Sequence, residues 1–143
     1  MTVEKTYVIK GKSEEKWWLV DANEASLGRL ATQIAHYLLG KNQPSFTPGV
    51  DMGNFVVVIN AERFKFTQKR LDDKKYYAHS GYPGGLKTIT LRDQIKLFPE
   101  RVIKAAVWGM LPHNAHGKKL LKRLKVYACN DHPHQAQNPE SVQ

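Results

Sequence analysis

The 143-residue sequence predicts an α/β fold with helices on both faces of a sheet. Three observations predict it. Phe55-Val56-Val57-Val58-Ile59 is a continuous apolar, β-branched run, as a strand covered on both faces requires. Leu27, Leu30, Ala31, Ile34, Ala35, Leu38 and Leu39 recur at the spacing of one helical face. Strand-like and helix-like stretches also alternate along the chain, which is the order of βαβ units.

The elements follow in order. Residues 1–15 are polar, have no clear period and are read as a flexible arm. Trp17-Trp18-Leu19-Val20 is a buried strand, and residues 21–26 are a short connection with helix-capping residues. The helix of residues 27–39 comes next, and Gly40 stops it. Residues 42–54 hold two prolines and two glycines and form a loop, after which the run 55–59 completes a βαβ unit. Phe64-Lys65-Phe66-Thr67 alternates and reads as a short edge strand, and residues 74–79 as a further strand. Residues 80–85, Ser80-Gly81-Tyr82-Pro83-Gly84-Gly85, are a turn-rich loop. Residues 91–98 form a short helix. Pro99 ends it and suits the first position of the next, whose apolar face is Val102, Ile103, Ala106, Val107 and Met110. Arg101 and Lys104 lie outside that face, and Pro112 closes the helix. Residues 118–124 form a basic helix and residues 125–128 a last strand. Residues 16–130 are thus one domain, and residues 131–143 a polar, proline-bearing C-terminal tail.

A domain of this size buries roughly 70% of the surface its unfolded chain exposes, so it needs neither disulfide nor metal to fold. Cys129 is the only cysteine, which rules out an intrachain disulfide. No run of about 20 apolar residues is present to span a membrane. Residues 1–16 carry Glu4, Glu14 and Glu15 and no apolar stretch, unlike a signal or transit peptide. The expected setting is a reducing, cytoplasmic one.

The net charge is +9 and unevenly spread. Residues 1–62 hold six Lys/Arg against seven Asp/Glu, whereas residues 63–143 hold sixteen against six. A one-sided excess makes a positive field over part of the surface, and polyphosphate backbones are its commonest partners. The other readings are a basic protein without a polyanion partner, or one that meets a membrane surface. Two clusters stand out. Lys69-Arg70 and Lys74-Lys75 lead into Tyr76-Tyr77. Lys118, Lys119, Lys122, Arg123 and Lys125 enclose Leu120, Leu121 and Leu124, so a helix there turns leucines inward and cations outward. An ordinary solvated helix mixes signs, yet no acid occurs between Arg101 and Asp131. Nucleic acid is the favoured partner. No zinc finger, RNP motif or clear helix-turn-helix accompanies the charges, so shape and phosphate position are what is read, which suits folded RNA.

Other chemistry finds little support. Residues 81–88, ending in Gly84-Gly85-Leu86-Lys87-Thr88, approach a phosphate-binding P-loop, but that motif needs glycine directly before Lys-Thr and a helix after it. Leu86 intervenes, and Thr88-Ile89-Thr90 reads as extended. The glycines suit either a plain turn or a loop whose backbone approaches phosphate. Cys129, His132 and His134, with His113 and His116, lack the usual zinc-ligand spacing. Asp72-Asp73 beside Lys74-Lys75 is a solvated charged turn, and no nucleophile stands in a recognisable setting. Neither enzyme, cofactor nor metal is expected. The rivals are a free-standing RNA- or DNA-binding regulator, and a nucleotide-dependent enzyme that would depend on Lys87.

Several stretches taken together resemble the L-thirteen family of large-subunit ribosomal proteins, bacterial type, over residues 16–140. They are Trp17-Trp18-Leu19-Val20-Asp21-Ala22 with Leu27-Gly28-Arg29-Leu30-Ala31; Thr47-Pro48 with Asp51 and Gly53; Asn60-Ala61; and Tyr76-Tyr77 with His79, Gly81 and Gly84-Gly85. Pro99-Glu100-Arg101-Val102, Gly109-Met110-Leu111-Pro112, Gly117, Leu124-Lys125-Val126-Tyr127-Ala128 and then His132, His134, Gln137 and Pro139 continue the match. The resemblance implies a three-layer α/β/α fold with a mainly parallel four-stranded sheet. It implies a non-catalytic constituent of the large ribosomal subunit that binds 23S-type rRNA, contacts neighbouring ribosomal proteins and supports assembly and translation. Membrane and small-molecule partners are not expected. The residues expected at the RNA are Arg29, Lys69, Arg70, Lys74, Lys75, Tyr76, His79, Gly84, Gly85, Lys87, Lys118, Lys119, Lys122, Arg123 and Lys125. Three positions depart from the family pattern. Trp108 replaces a basic or aliphatic residue, which removes one RNA contact. Gln68 and Cys129 stand where glycine or another turn-forming residue is common, which bears on local turn geometry.

Overall fold

The computed structural model describes residues 14–23 and 25–142; the expected arm lies, but for Glu14 and Glu15, outside them. The main sheet has four strands, β1 (Lys16–Asp21), β2 (Asn54–Ile59), β5 (Leu124–Val126) and β6 (Glu140–Val142), in the order β5-β2-β1-β6. Every pairing in it is parallel, and helices flank it, so the fold is of the three-layer α/β/α class. The helices are α1 (Leu27–Leu39), α2 (Gln68–Asp73), α3 (Leu91–Leu97), α4 (Pro99–Trp108) and α5 (Ala115–Lys122). Two further strands, β3 (Lys75–His79) and β4 (Leu86–Thr90), form a separate antiparallel hairpin.

Pairing of β1 with β2 sets Trp18 beside Val56 and Val20 beside Val58, and pairing of β2 with β5 adds Leu124 and Val126 to the same layer. Alternation along a strand sends all six to one face. There they meet Leu30, Ala31, Ile34 and Leu38 of α1 and Val102, Ile103 and Val107 of α4, all fully buried. The opposite face carries Trp17 and Phe55, whose rings stack at 4.4 Å and 7°. Buried Asn54 has a partner for both ends of its amide: it donates to the Tyr37 carbonyl at 2.8 Å and accepts from Gln43 at 3.1 Å. That ties the start of β2 to the end of α1. Gly40, with φ of +79°, ends α1 where any Cβ would meet the Met52 side chain at 2.5 Å.

Five sequence expectations change. Helix α4 ends at Trp108 with Gly109 as its cap, so Pro112 does not close it, and Met110 lies past its end, exposed rather than on the buried face. Residues 64–67 form no strand; Ser26 and Lys65 make one isolated bridge, and Phe64 instead fills the core. A lone bridge is all that fits because the chain then turns into α2, an unforeseen helix held by one buried side chain, Leu71. Asp72 and Asp73 therefore end a helix rather than form a turn, and Asp72 pairs with Arg92 of α3 at 3.1 Å. Helix α5 starts three residues earlier than expected because Asn114 caps it, accepting from the Gly117 N–H at 2.9 Å, and it stops at Lys122, with β5 beginning at Leu124. Lastly, the polar tail returns to the sheet. Glu140–Val142 pair with β1 and supply its fourth strand. His134 helps to seat the tail: its Nε2 lies 2.8 Å from the Tyr127 hydroxyl, and its ring is 5.1 Å from Trp17. Burial, then Lys125 and His132, lower its pKa and favour the neutral ring.

Candidate nucleic-acid interface

The expected site residues fall on three surfaces. The first is a groove between the first turns of α1, the 65–67 segment and α2, which brings Arg29 and Arg70 to one lining. A second groove adjoins it, shares Leu27, Gly28, Arg70, Leu91 and Met110, and adds Lys74 and Tyr76. Lys74 Nζ stands 5.6 Å from the centre of the Tyr76 ring, within cation–π range. Burial pushes the Tyr76 hydroxyl above the ordinary tyrosine range, so it stays a neutral donor. Lys69 is exposed on α2. Lys65 and Phe66 also line the first groove and were missed in the sequence. The bridge to Ser26 and the Lys65 N–H bond to the Ala25 carbonyl at 2.8 Å hold this segment beside the start of α1, and the Phe-Lys-Phe alternation alone carries no sign of it.

The second surface is the β3–β4 hairpin. Its register pairs Lys75 with Thr90, Tyr77 with Thr88 and His79 with Leu86, so these share one face, while Tyr76, Ala78, Lys87 and Ile89 occupy the other. Almost the whole hairpin is exposed: Tyr77 is 66% and Tyr82 76% open to solvent. Isolated two-stranded hairpins are marginal in water, so the order of this one leans on its base and on what it meets. The backbone at its base is anchored, since the Leu91 N–H donates to the Lys74 carbonyl at 2.8 Å. The loop glycines have a structural reason. A Cβ on Gly85 would lie 2.0 Å from Ser80 Oγ, and its N–H already donates to the Tyr82 carbonyl at 2.9 Å. Gly84 carries a positive φ and open space around it. Lys87 lies on a strand, not at the start of a helix, so the P-loop geometry is absent here.

Helix α5 makes the third surface. Leu120 is buried, and Gly117 packs so tightly on Pro112 that a Cβ would come 1.8 Å from its carbonyl oxygen. The helix is thereby fixed, and Lys118, Lys119 and Lys122 project to solvent. Lys125 lies on β5 rather than on the helix, yet it lines a groove with Lys122, Lys104 and Glu100. Lys104 bonds Glu100 one turn away at 3.3 Å, which offsets one of the groove's three lysines. Arg123 is set apart from the row. Both of its terminal nitrogens reach the Asp51 carboxylate, one at 2.7 Å, and its guanidinium lies 5.2 Å from the Phe55 ring centre. Partial burial acts to raise the Asp51 pKa, but the Arg123 hydrogen bond, the Gly53 N–H and the Arg123 charge outweigh it and hold the carboxyl below the usual range. Arg123 is thus a strut between the 42–53 loop and the end of α5.

The three departures from the family pattern have local settings. Trp108 packs edge-on against His113 at 4.7 Å. Neither Gln68 nor Cys129 adopts a positive φ, so the glycine alternative is not required at either place. Cys129 is exposed, and its carbonyl accepts from the Asn60 N–H at 3.1 Å. Among the described residues no group of three or more His, Cys, Asp or Glu side chains could hold a metal ion, and no helix is long and apolar enough to cross a membrane.

Comparison with known proteins finds close relatives along nearly the whole chain. The chain is 55% identical to the large ribosomal subunit protein uL13 of Thermotoga maritima, over 99% of this chain and 95% of that one. It is 54% identical to the protein of the same name from Aquifex aeolicus, over 97% of each. It is also 54% identical to that of Chlorobium phaeobacteroides, over 94% of this chain and 91% of the relative. The family model described as Ribosomal protein L13 matches residues 15–133, and the chain belongs to that family.

Proposed function

We propose that this protein is a structural constituent of the large ribosomal subunit, which binds 23S-type rRNA through its basic surfaces and supports subunit assembly and translation. It catalyses nothing in this role and needs no cofactor or metal. Its partners are rRNA and neighbouring large-subunit proteins, and it resides on cytoplasmic ribosomes. The observation that carries the reading is the way the cations are mounted. Lys118, Lys119 and Lys122 project from a helix locked by Leu120 and Gly117, and Arg29 and Arg70 converge from elements fixed by the core. Cations mounted on a fixed backbone require little backbone ordering on meeting a phosphate chain of fixed shape, and phosphate contacts set register and orientation. The full-length likeness to proteins named for the large subunit supports the same reading.

Sedimentation and crosslinking in intact ribosomes test it. The protein should travel with the large subunit, resist a moderate-salt wash and crosslink to rRNA through the three surfaces. Natively purified protein free of RNA and absent from large subunits would refute the proposal. Release at moderate salt with retained affinity for a separate target would favour a free-standing regulator.

A further inference from the structure

We propose that the groove between α1, the 65–67 segment and α2 takes an unpaired RNA base, stacked on Phe66, with its phosphates held by Arg29 and Arg70. The inference rests on the rRNA-binding reading and adds a mode of contact to it. Phosphate binding alone needs only cations on a surface, whereas this groove is built of two materials. Among the described residues its lining includes Arg29 and Arg70 and no carboxylate. Between them lie Phe66, 39% exposed, and Met110, 43% exposed. Leaving such apolar area in water is unfavourable, so a partner with an apolar face gains by covering it.

The Phe66 ring is held ready for such a partner. It meets the buried Phe64 ring edge-on at 5.6 Å and 75°, a contact that biases its orientation while much of the residue stays open to solvent. The groove is open to solvent on one side and offers about 980 Å³, ample for a nucleotide. A base offers a flat π face and its backbone offers anions, and the groove supplies the complement of both. Paired A-form RNA keeps its base faces stacked inside the helix, so only a loop, bulge or extruded nucleotide could fill the site. Among the described residues neither Arg29 nor Arg70 has an ion-pair partner, which leaves both guanidinium groups for phosphate.

The test uses the full chain and short single-stranded RNAs carrying 2-aminopurine, with the same strands in duplex form for comparison. Stacking on Phe66 should quench the probe in the single strand and leave the duplex unaffected. Phe66→Leu should abolish the quenching and weaken single-strand binding by about 5- to 150-fold, with the salt slope unchanged. Phe66→Tyr, which keeps the π face, should restore both. Arg70→Gln should make the slope shallower by about 0.7. If Phe66→Leu binds and quenches as the parent does, or if the duplex binds more tightly than the single strand, base stacking in this groove is wrong. Retained binding to a 23S-type rRNA transcript in either of those cases would leave the rRNA reading standing. No binding to any of these RNAs would overturn both.

Discussion

Arg123 offers the sharpest test of how the basic cluster is divided. In the sequence it sits among four lysines and counts as one of them. In the fold its side chain is 21% exposed and bound through both nitrogens to Asp51, itself 39% exposed. Two charge-assisted hydrogen bonds in a half-wet site, screened on the carboxylate side, are worth together about 1–3 kcal/mol. Arg123→Ala should therefore lower stability by that amount, which is about 2–12 °C in Tm for a domain of this size. A double-mutant cycle with Asp51→Ala should return most of it as coupling. The salt dependence of rRNA binding should not change, because the charge removed was already neutralised. Lys118→Ala, Lys119→Ala and Lys122→Ala combined should do the reverse. They should leave Tm close to the parent and make the slope of log K against log salt shallower by about 2–3. Thermal melts and filter binding across a salt series read both quantities. If Arg123→Ala melts like the parent and flattens the slope as each lysine does, the assignment of Arg123 as a strut fails.

The same pair predicts a pH dependence. The folded pKa of Asp51 lies below its unfolded value, so its stabilisation is present above about pH 4 and lost as pH falls through the folded pKa. The Tm difference between parent and Asp51→Asn should be largest near neutrality and shrink in acid, and a difference that grew in acid would contradict the sign. Leu30→Ala should cost about 2–5 kcal/mol in denaturant unfolding, since Leu30 is wholly buried between α1 and the core. Gly117→Ala should cost about 1–3 kcal/mol, because the new methyl must push α5 off the Pro112 carbonyl, and weaker RNA binding should accompany it. A neutral result in urea would mean that α5 is not held there.

Much of the fold was legible because it is written in local periods. Helix α1 follows from seven apolar residues on one face, and β2 from five in a row, and both stand where they were expected. Helix α2 was invisible because Leu71 is its only buried residue, and one apolar position sets no period. Of the candidate site, the charge excess and its α5 row were readable, since both are short-range facts of composition and spacing. The convergence of Arg29 with Arg70 was not, because nothing local links positions on separate elements.

By itself the sequence determined the class: a parallel sheet, covered by helices, carrying a surplus of cations. Each of those properties is fixed by residues within a turn or a strand of one another. Tertiary structure alone decided that Glu140–Val142 would close the edge of β1, that Arg123 would be bound to Asp51, and that Phe66 would line one groove with Arg29. A three-residue strand with one apolar side chain, Val142, is too short to show a pattern of its own. It forms because the backbone of β1 presents unpaired N–H and C=O groups along its free side, and that demand exists only once the rest of the sheet is in place.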